Sequence, residues 1–485
     1  MFRSTRFWTA AVAVSALSAT PVFSDAQTTE ILEEYFELFK SAPVTIDVGT
    51  KDDGSRFTQW NDIVVKYESS DAVLNIPWIK VSRKLLGGLE MTFAEEINGA
   101  LKGFNEDTAE PIKFVVISKG AVVGIDGEAG ARSYASEFDE VTFKTVGSDD
   151  ISIDAIVTDG TSTQTIKKGE IDVSSGDFSV ASMTFNYAFD VEGKALGSAA
   201  SFDKLTGTFE IPLYKDIDQE DFMSSFDANQ NMLIEYNVAS GLAKTVVKDI
   251  NGTFNVVTKH GVGFGKFALL DSIAEMSGET QDVSYDITAP DIGLPPIELG
   301  MKEMVAKFVV PLDNTEDAKA SEIKFAMTGL NMSEGVWSIF DPKAILPRDE
   351  ADLDIDLSAN MLWLKKLAEI NVNDKHQAPP VALESAKINA INLRVAGAEL
   401  QTDGAIVLDN SQFPPVPDGT VNVSLKGAQG LLTKLSEAGL LPLQNALAIR
   451  GMSAVFFEDQ GDDHLVSTIK MNKNGRITAN DVPIK

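Results

Sequence analysis

Apolar and polar positions fall into two textures along the chain. Thr29–Lys40 (TEILEEYFELFK) places Ile31, Leu32, Tyr35, Phe36 and Phe39 on one side at helical spacing, which predicts an amphipathic helix. After it the pattern changes to short runs of alternation. Val44–Val48, Ile63–Tyr67, Val141–Val146, Ile151–Ala155, Thr208–Ile211, Glu322–Phe325, Asp352–Leu357 and Thr420–Leu425 all read as strands. At the usual strand length the chain holds about twenty of them. Asp159-Gly160, Asn251-Gly252, Asp403-Gly404 and Asn474-Gly475 read as turns, the last as a type I′ hairpin. Further short helices are predicted at Asp218–Phe226, Ser333–Phe340, Asn360–Glu369, Gly427–Leu440 and Pro442–Phe457. The Pro-rich Ala289–Ile297 and Phe413–Pro417 read as ordered loops or edges, being too short and apolar for flexible stalks.

One pattern repeats. Leu353–Leu357 followed by Leu362–Glu369 aligns without gaps on Val421–Leu425 followed by Gly430–Glu437, and Ile323–Met327 with Val336–Phe340 is a looser copy. Each reads as an alternating strand feeding a short helix.

Alternation means one dry face and one wet face, the habit of antiparallel sheets. A single twisted sheet rarely exceeds ~10 strands without curling or splitting. The expected fold is therefore mainly β: a long, curled antiparallel sheet forming a trough or half-barrel, with a few short amphipathic helices. Two sheets packed shut into a sandwich are the alternative. An outer-membrane barrel is disfavoured by the few Tyr and Trp available for interfacial girdles and by the helical C-terminus. Residues 27–290 and 291–485 are read as two β-rich regions, or as one continuous domain.

Composition narrows the function classes. The chain has no cysteine, hence no disulfide framework, thiolate metal site or cysteine nucleophile. A net charge of −31 excludes a nucleic-acid footprint, which needs clustered Lys and Arg. The 27 Phe against 7 Tyr and 5 Trp supply large rings without polar handles, favouring an oily ligand over a carbohydrate. At the N-terminus, Arg3 and Arg6 precede an apolar run, Phe7–Ala19, then Pro21 and small residues around Ser24-Asp25-Ala26. The run is shorter than the ~20 residues of a spanning helix. Residues 1–26 read as a cleaved signal peptide, which implies export to the periplasm with no transmembrane segment in the mature chain.

Candidate chemistry is sparse. His260, His376 and His464 lie far apart, and neither a His-Glu-x-x-His motif nor a Gly-x-Ser-x-Gly elbow is present. Ser321/Lys324 and Ser467/Lys470 have Ser-x-x-Lys spacing but fall within strands. His260–Lys266 (HGVGFGK) lacks the phosphate-loop spacing and reads as a sharply bent strand. Asp227–Val238 and Lys470–Ile477 resemble calcium loops, yet each fails at a ligand or turn position, Met232 and Val238 in the first and Lys470 in the second. No catalytic, cofactor-binding or metal-binding residue is assigned.

The C-terminal third carries a resemblance. Trp337–Pro342 (WSIFDP), Leu346–Asp349 (LPRD), Lys426-Gly427, Leu431-Leu432, Gly439–Leu441 and Asn474–Arg476 resemble exported alphaproteobacterial proteins of the domain of unknown function 2125 family. That resemblance brings no established activity and no catalytic residues. More distantly the ending is similar to AsmA-like envelope proteins, which implies envelope maintenance or phospholipid movement along a β-groove. The expected function is a non-enzymatic periplasmic protein that binds a lipid or other apolar molecule, or supports envelope assembly. A closed protein-interaction module is the alternative, and a hydrolase the third reading.

Overall fold

A computed structural model describes residues 28–39, 44–67, 72–85, 87–101, 111–128, 131–147, 151–191, 194–213, 231–250, 252–313, 317–365, 380–412 and 414–484. The expected signal peptide, the Asp218–Phe226 helix and His376 lie outside them. The chain is mainly β, and among the described residues a long antiparallel sheet of 26 strands is joined by four short α-helices, as the alternation predicts. The strand number exceeds twenty partly because bends divide long runs. At Gly261-Val262 the HGVGFGK segment breaks into Gly252–His260 and Gly263–Leu270, and both pieces pair with Ile273–Thr288. The chain divides into two compact units, one formed mainly by residues up to 253 and the other by residues from 254 onward.

Unit 1 holds a sealed core. Helix α1 (Thr28–Phe39) turns Ile31, Leu32 and Phe36 onto the strands Phe57–Tyr67 and Ala72–Arg83. The Phe36 ring stacks on Trp60 at 5.1 Å, with 5° between the planes. Ile63, Ile79, Met91, Ile125 and Tyr134 belong to the same buried cluster, none more than 1% exposed. A second layer thus closes this part of the sheet.

The longest strands follow: Ala131–Val146, Ile151–Lys167, Asp172–Val191 and Lys194–Leu213. Sixteen to twenty residues of simple alternation would twist the sheet away from its own core. Each strand instead switches parity once. In Ile151–Lys167 the covered side chains are Ile153 and its alternate neighbours first, then Gly160, Gln164 and Ile166. The switch falls at Asp159, whose φ of 48° lies in the left-handed region that Asp tolerates better than most residues. The matching switch in Lys194–Leu213 falls at Lys204, with φ 50°. Asp159-Gly160 is therefore a kink inside a strand, and the turn expected there is corrected. Asp403-Gly404 likewise lies inside the strand Ala398–Asp409, where Gly404 faces Val421 closely.

Aromatic rings lie over glycines across these strands. Phe138 is opposite Gly160, Phe178 opposite Gly207, and Phe114 opposite Gly99. A Cβ on any of the three glycines would collide with the facing ring. Gly160→Val is expected to cost about 1–3 kcal/mol by overpacking, read as a lower urea midpoint at unchanged slope.

Unit 2 is a meander. Ile273–Thr288, Ile297–Pro311, Lys319–Met332, Ala351–Trp363, Val381–Val395, Ala398–Asp409 and Val416–Lys426 each pair antiparallel with the next, and His464–Met471 follows. Helix α2 (Glu334–Phe340) follows the third of these strands, and α3 (Ala428–Glu437) and α4 (Leu443–Phe456) precede the last. These three helices match the predicted segments, so the strand–helix pattern recurs at Lys319–Phe340 and Val416–Glu437. Asn360–Glu369 does not follow it: the strand continues through Trp363, whose indole N–H donates to the Pro311 carbonyl. The remainder of that predicted helix lies outside the described residues. Asn474-Gly475 forms a turn in which only Gly475 has positive φ (78°), with its N–H donating to Asn472 O at 2.8 Å, so it is not type I′.

Candidate functional site: an uncovered apolar face

The registers of unit 2 bring its apolar residues onto one face. Phe308, Ile323, Leu357, Ile388, Gly404, Val421 and Ile469 stand opposite one another in turn. One pair further along come Ala306, Phe325, Ile355, Ile391, Thr402, Val423 and Ser467, and then Met304, Met327, Leu353, Leu393, Leu400, Leu425 and Leu465. At ~4.8 Å per strand the rows run roughly 29 Å across the sheet. β-Bulges at Asn389 and near Gly329 shift the count without taking these residues off the face.

Side chains on this face touch their neighbours but carry no packed layer above them. Among the described residues only Leu465 and Ser467 of the three rows are buried, while Phe308 and Ile323 are 44% and 46% exposed. The contrast with the closed core of unit 1 is direct. On the reverse face, Asp352, Asp354 and Asp356 line one strand, with Arg394 paired to Asp352 and Asn392 to Asp354. Lys307–Glu322 at 2.7 Å and Asn422–Asp403 at 3.1 Å continue that wet surface.

Two devices set the borders of the dry face. The first is a knot after α2. Trp337 is buried, with the Arg348 guanidinium 4.3 Å above its ring, and Arg348 Nη1 donates to Asp341 at 2.6 Å. The Ile345 and Leu346 amides also donate to Asp341, at 3.1 and 2.8 Å. Burial pushes the Asp341 carboxyl up, but Arg348 and the two amides outweigh it and hold the group below the usual carboxylate range. Its contribution to stability is therefore complete above the unfolded value of about 4 and is lost as pH falls through the lower native value. Asp341→Asn is expected to lower the thermal midpoint by several degrees at neutral pH, with the difference from the parent shrinking in acid; scans from pH 7 to pH 2 check it.

The second device is the α3–α4 hairpin. Asp463 accepts from the Gln429 and Gly430 amides at 3.0 and 2.8 Å, satisfying the first turn of α3. The Phe456 carbonyl at the end of α4 accepts from Ser467 Oγ at 2.8 Å, which sets the helix end against the buried corner of the rows.

Polar chemistry is scattered. Ser424 Oγ and His464 Nε2 lie 3.0 Å apart on the wet face, a cross-strand pair to which the described residues bring no third, acidic member. His260 Nδ1 is 2.9 Å from the Gly261 carbonyl. Ser321 and Ser467 spend their hydroxyls on the Ala359 and Phe456 carbonyls, and Lys470 pairs with Asp481. Of the two calcium-like segments, the first is only partly described and the second is the Asn472–Gly475 turn. The sequence reading located the strands and expected a dry face, but gave no registers and so named none of the rows; the signal was the apolar triplet repeated in Leu353–Leu357, Ile388–Leu393 and Val421–Leu425.

Residues 270–484 match a family model described as "Uncharacterized protein conserved in bacteria (DUF2125)". The match covers the three rows, the Trp337–Arg348 knot and the α3–α4 hairpin, and stops short of unit 1. No curated protein and no solved structure matches the chain. Within the matched segment the WSIFDP and LPRD motifs meet in a structural role, as the two sides of the Asp341–Arg348 pair.

Proposed function

We propose that the protein binds the acyl chain of a lipid, or another apolar molecule, on the uncovered face of unit 2, and that it works in the cell envelope after export. The observation that carries this reading is a triple row of aliphatic and aromatic side chains, left half-buried where a sandwich would have closed over them. Apolar surface of this extent favours a guest by about 25 cal/mol per Å2 removed from water, and rings without hydroxyls ask nothing polar of it. The charged reverse face keeps that side hydrated and gives the sheet only one side for a greasy ligand. The N-terminal sequence supports the location, and the resemblance of the ending to AsmA-like proteins is in keeping with it.

Gently purified protein, extracted with organic solvent and analysed by mass spectrometry, is expected to yield lipid at a fixed ratio to protein. Protein that carries none, and takes up no fluorescent fatty acid, overturns the reading. Unit 1, whose core is closed, favours a second role as a structural or interaction module for that part of the chain.

A further inference from the structure

Helix α4 is built unlike a surface helix. It touches the rest of the protein along one narrow stripe: Ala446 is buried, Arg450 donates to the Gln429 carbonyl at 2.8 Å, and Ser453 accepts from Gln429 Nε2 at 3.1 Å. Its only charged residue is thus turned inward. Outward stand Leu443, Leu447, Ile449, Met452 and Val455, between 39% and 63% exposed. No charged residue accompanies them, only the uncharged, exposed Gln444 and Asn445 of the first turn, in a chain of net charge −31. A helix on a water-facing surface ordinarily sets charged residues opposite its packed stripe, and one that is apolar all round belongs in a core or in lipid.

We propose that α4 is a membrane-contacting element whose outward surface enters the apolar zone of a bilayer with no net headgroup charge. Two observations choose the occupant. At 100° per residue the five large side chains spread over roughly 240° of the helix circumference. A protein partner covers one face of a helix, whereas lipid closes round every open side. Charge then selects the lipid: a neutral surface in a strongly acidic chain meets a zwitterionic bilayer without the repulsion that an anionic one exerts. At 14 residues the helix is about 21 Å long, too short to span, so it dips into one leaflet. This surface is separate from the apolar rows, although Phe456 sets its end beside them.

The test uses the full chain and vesicles of phosphatidylcholine. The protein is expected to float with the vesicles, and Leu447→Asp/Val455→Asp to reduce the bound fraction at least about tenfold. Leu85→Asp, at an exposed apolar position in unit 1, is expected to leave flotation unchanged. Because both α4 positions point outward, the far-ultraviolet dichroism and thermal midpoint of the double variant should match the parent. As a check that does not depend on adding charge, Leu447→Trp is expected to be quenched by brominated phosphatidylcholine. Failure of the parent to float, equal flotation of the double variant, or absence of added quenching in Leu447→Trp each overturns the proposal. Self-association lost in the double variant, without flotation of the parent, assigns the helix to a second copy and overturns it as well. Uptake of a fatty acid delivered from solution should survive in the double variant, so this proposal and the acyl-binding one fail separately.

Discussion

Ile355→Asp is expected to lose retained lipid and to weaken fatty-acid uptake at least about tenfold. Ile355 lies in the middle row, between Phe325 and Ile391, with Leu353 and Leu357 to either side on its own strand. A carboxylate there would be stripped of water by any acyl chain lying along the rows, or would hold water where the chain should lie. Folding should suffer less, because the side chain is only half-buried in the parent and a fully covered core position would cost more. Asp356→Ser, one residue along on the wet face, is the matched control and should retain lipid. Mass spectrometry of extracted lipid and titration with a fluorescent fatty acid read both variants. Equal retention in Ile355→Asp and parent would remove the rows as the binding surface.

The largest effect on stability is expected at the other end of the chain. Phe36→Ala should destabilise unit 1 by about 3–5 kcal/mol, since it deletes a ring that is 4% exposed and stacked on Trp60. The loss falls on α1 and the strands beneath it. Hydrogen exchange of the Phe57–Tyr67 and Ala72–Arg83 amides, with a urea titration, measures it. An unaltered midpoint would mean that α1 is an ornament on a core that closes without it.

Much of the fold was legible in the sequence because a strand's chemistry is local: Asp352–Leu357 announces its two faces in six residues. α3 was legible for the same reason, from apolar residues at helical spacing. What escaped depends on partners. Asp159-Gly160 carries the composition of a tight turn, but Asp accepts the same left-handed geometry in mid-strand, and Phe138 covers the glycine from the next strand. The Asn360–Glu369 helix failed over its first residues because Trp363 stays in the strand and finds its hydrogen-bond acceptor, the Pro311 carbonyl, across the sheet. The dry face was half legible. Each strand declared one, yet whether they coincide is decided by register, and register is set by turns and bulges such as the one at Asn389. The roles of Asp341 and Arg348 were hidden because the letters WSIFDP and LPRD name the residues and leave out what they hold.

The meander of unit 2 has a bearing on how the molecule is made. Every long strand from Ile273 to Lys426 finds its mate in the neighbouring stretch of chain. Four of the six links between mates are eight residues or shorter, so the entropy lost in closing those is small, and assembly rates rise as contacts become more local. A thread leaving a narrow exit can therefore add its rungs one after another, guarding each fresh edge with the next arrival and never waiting for a distant segment.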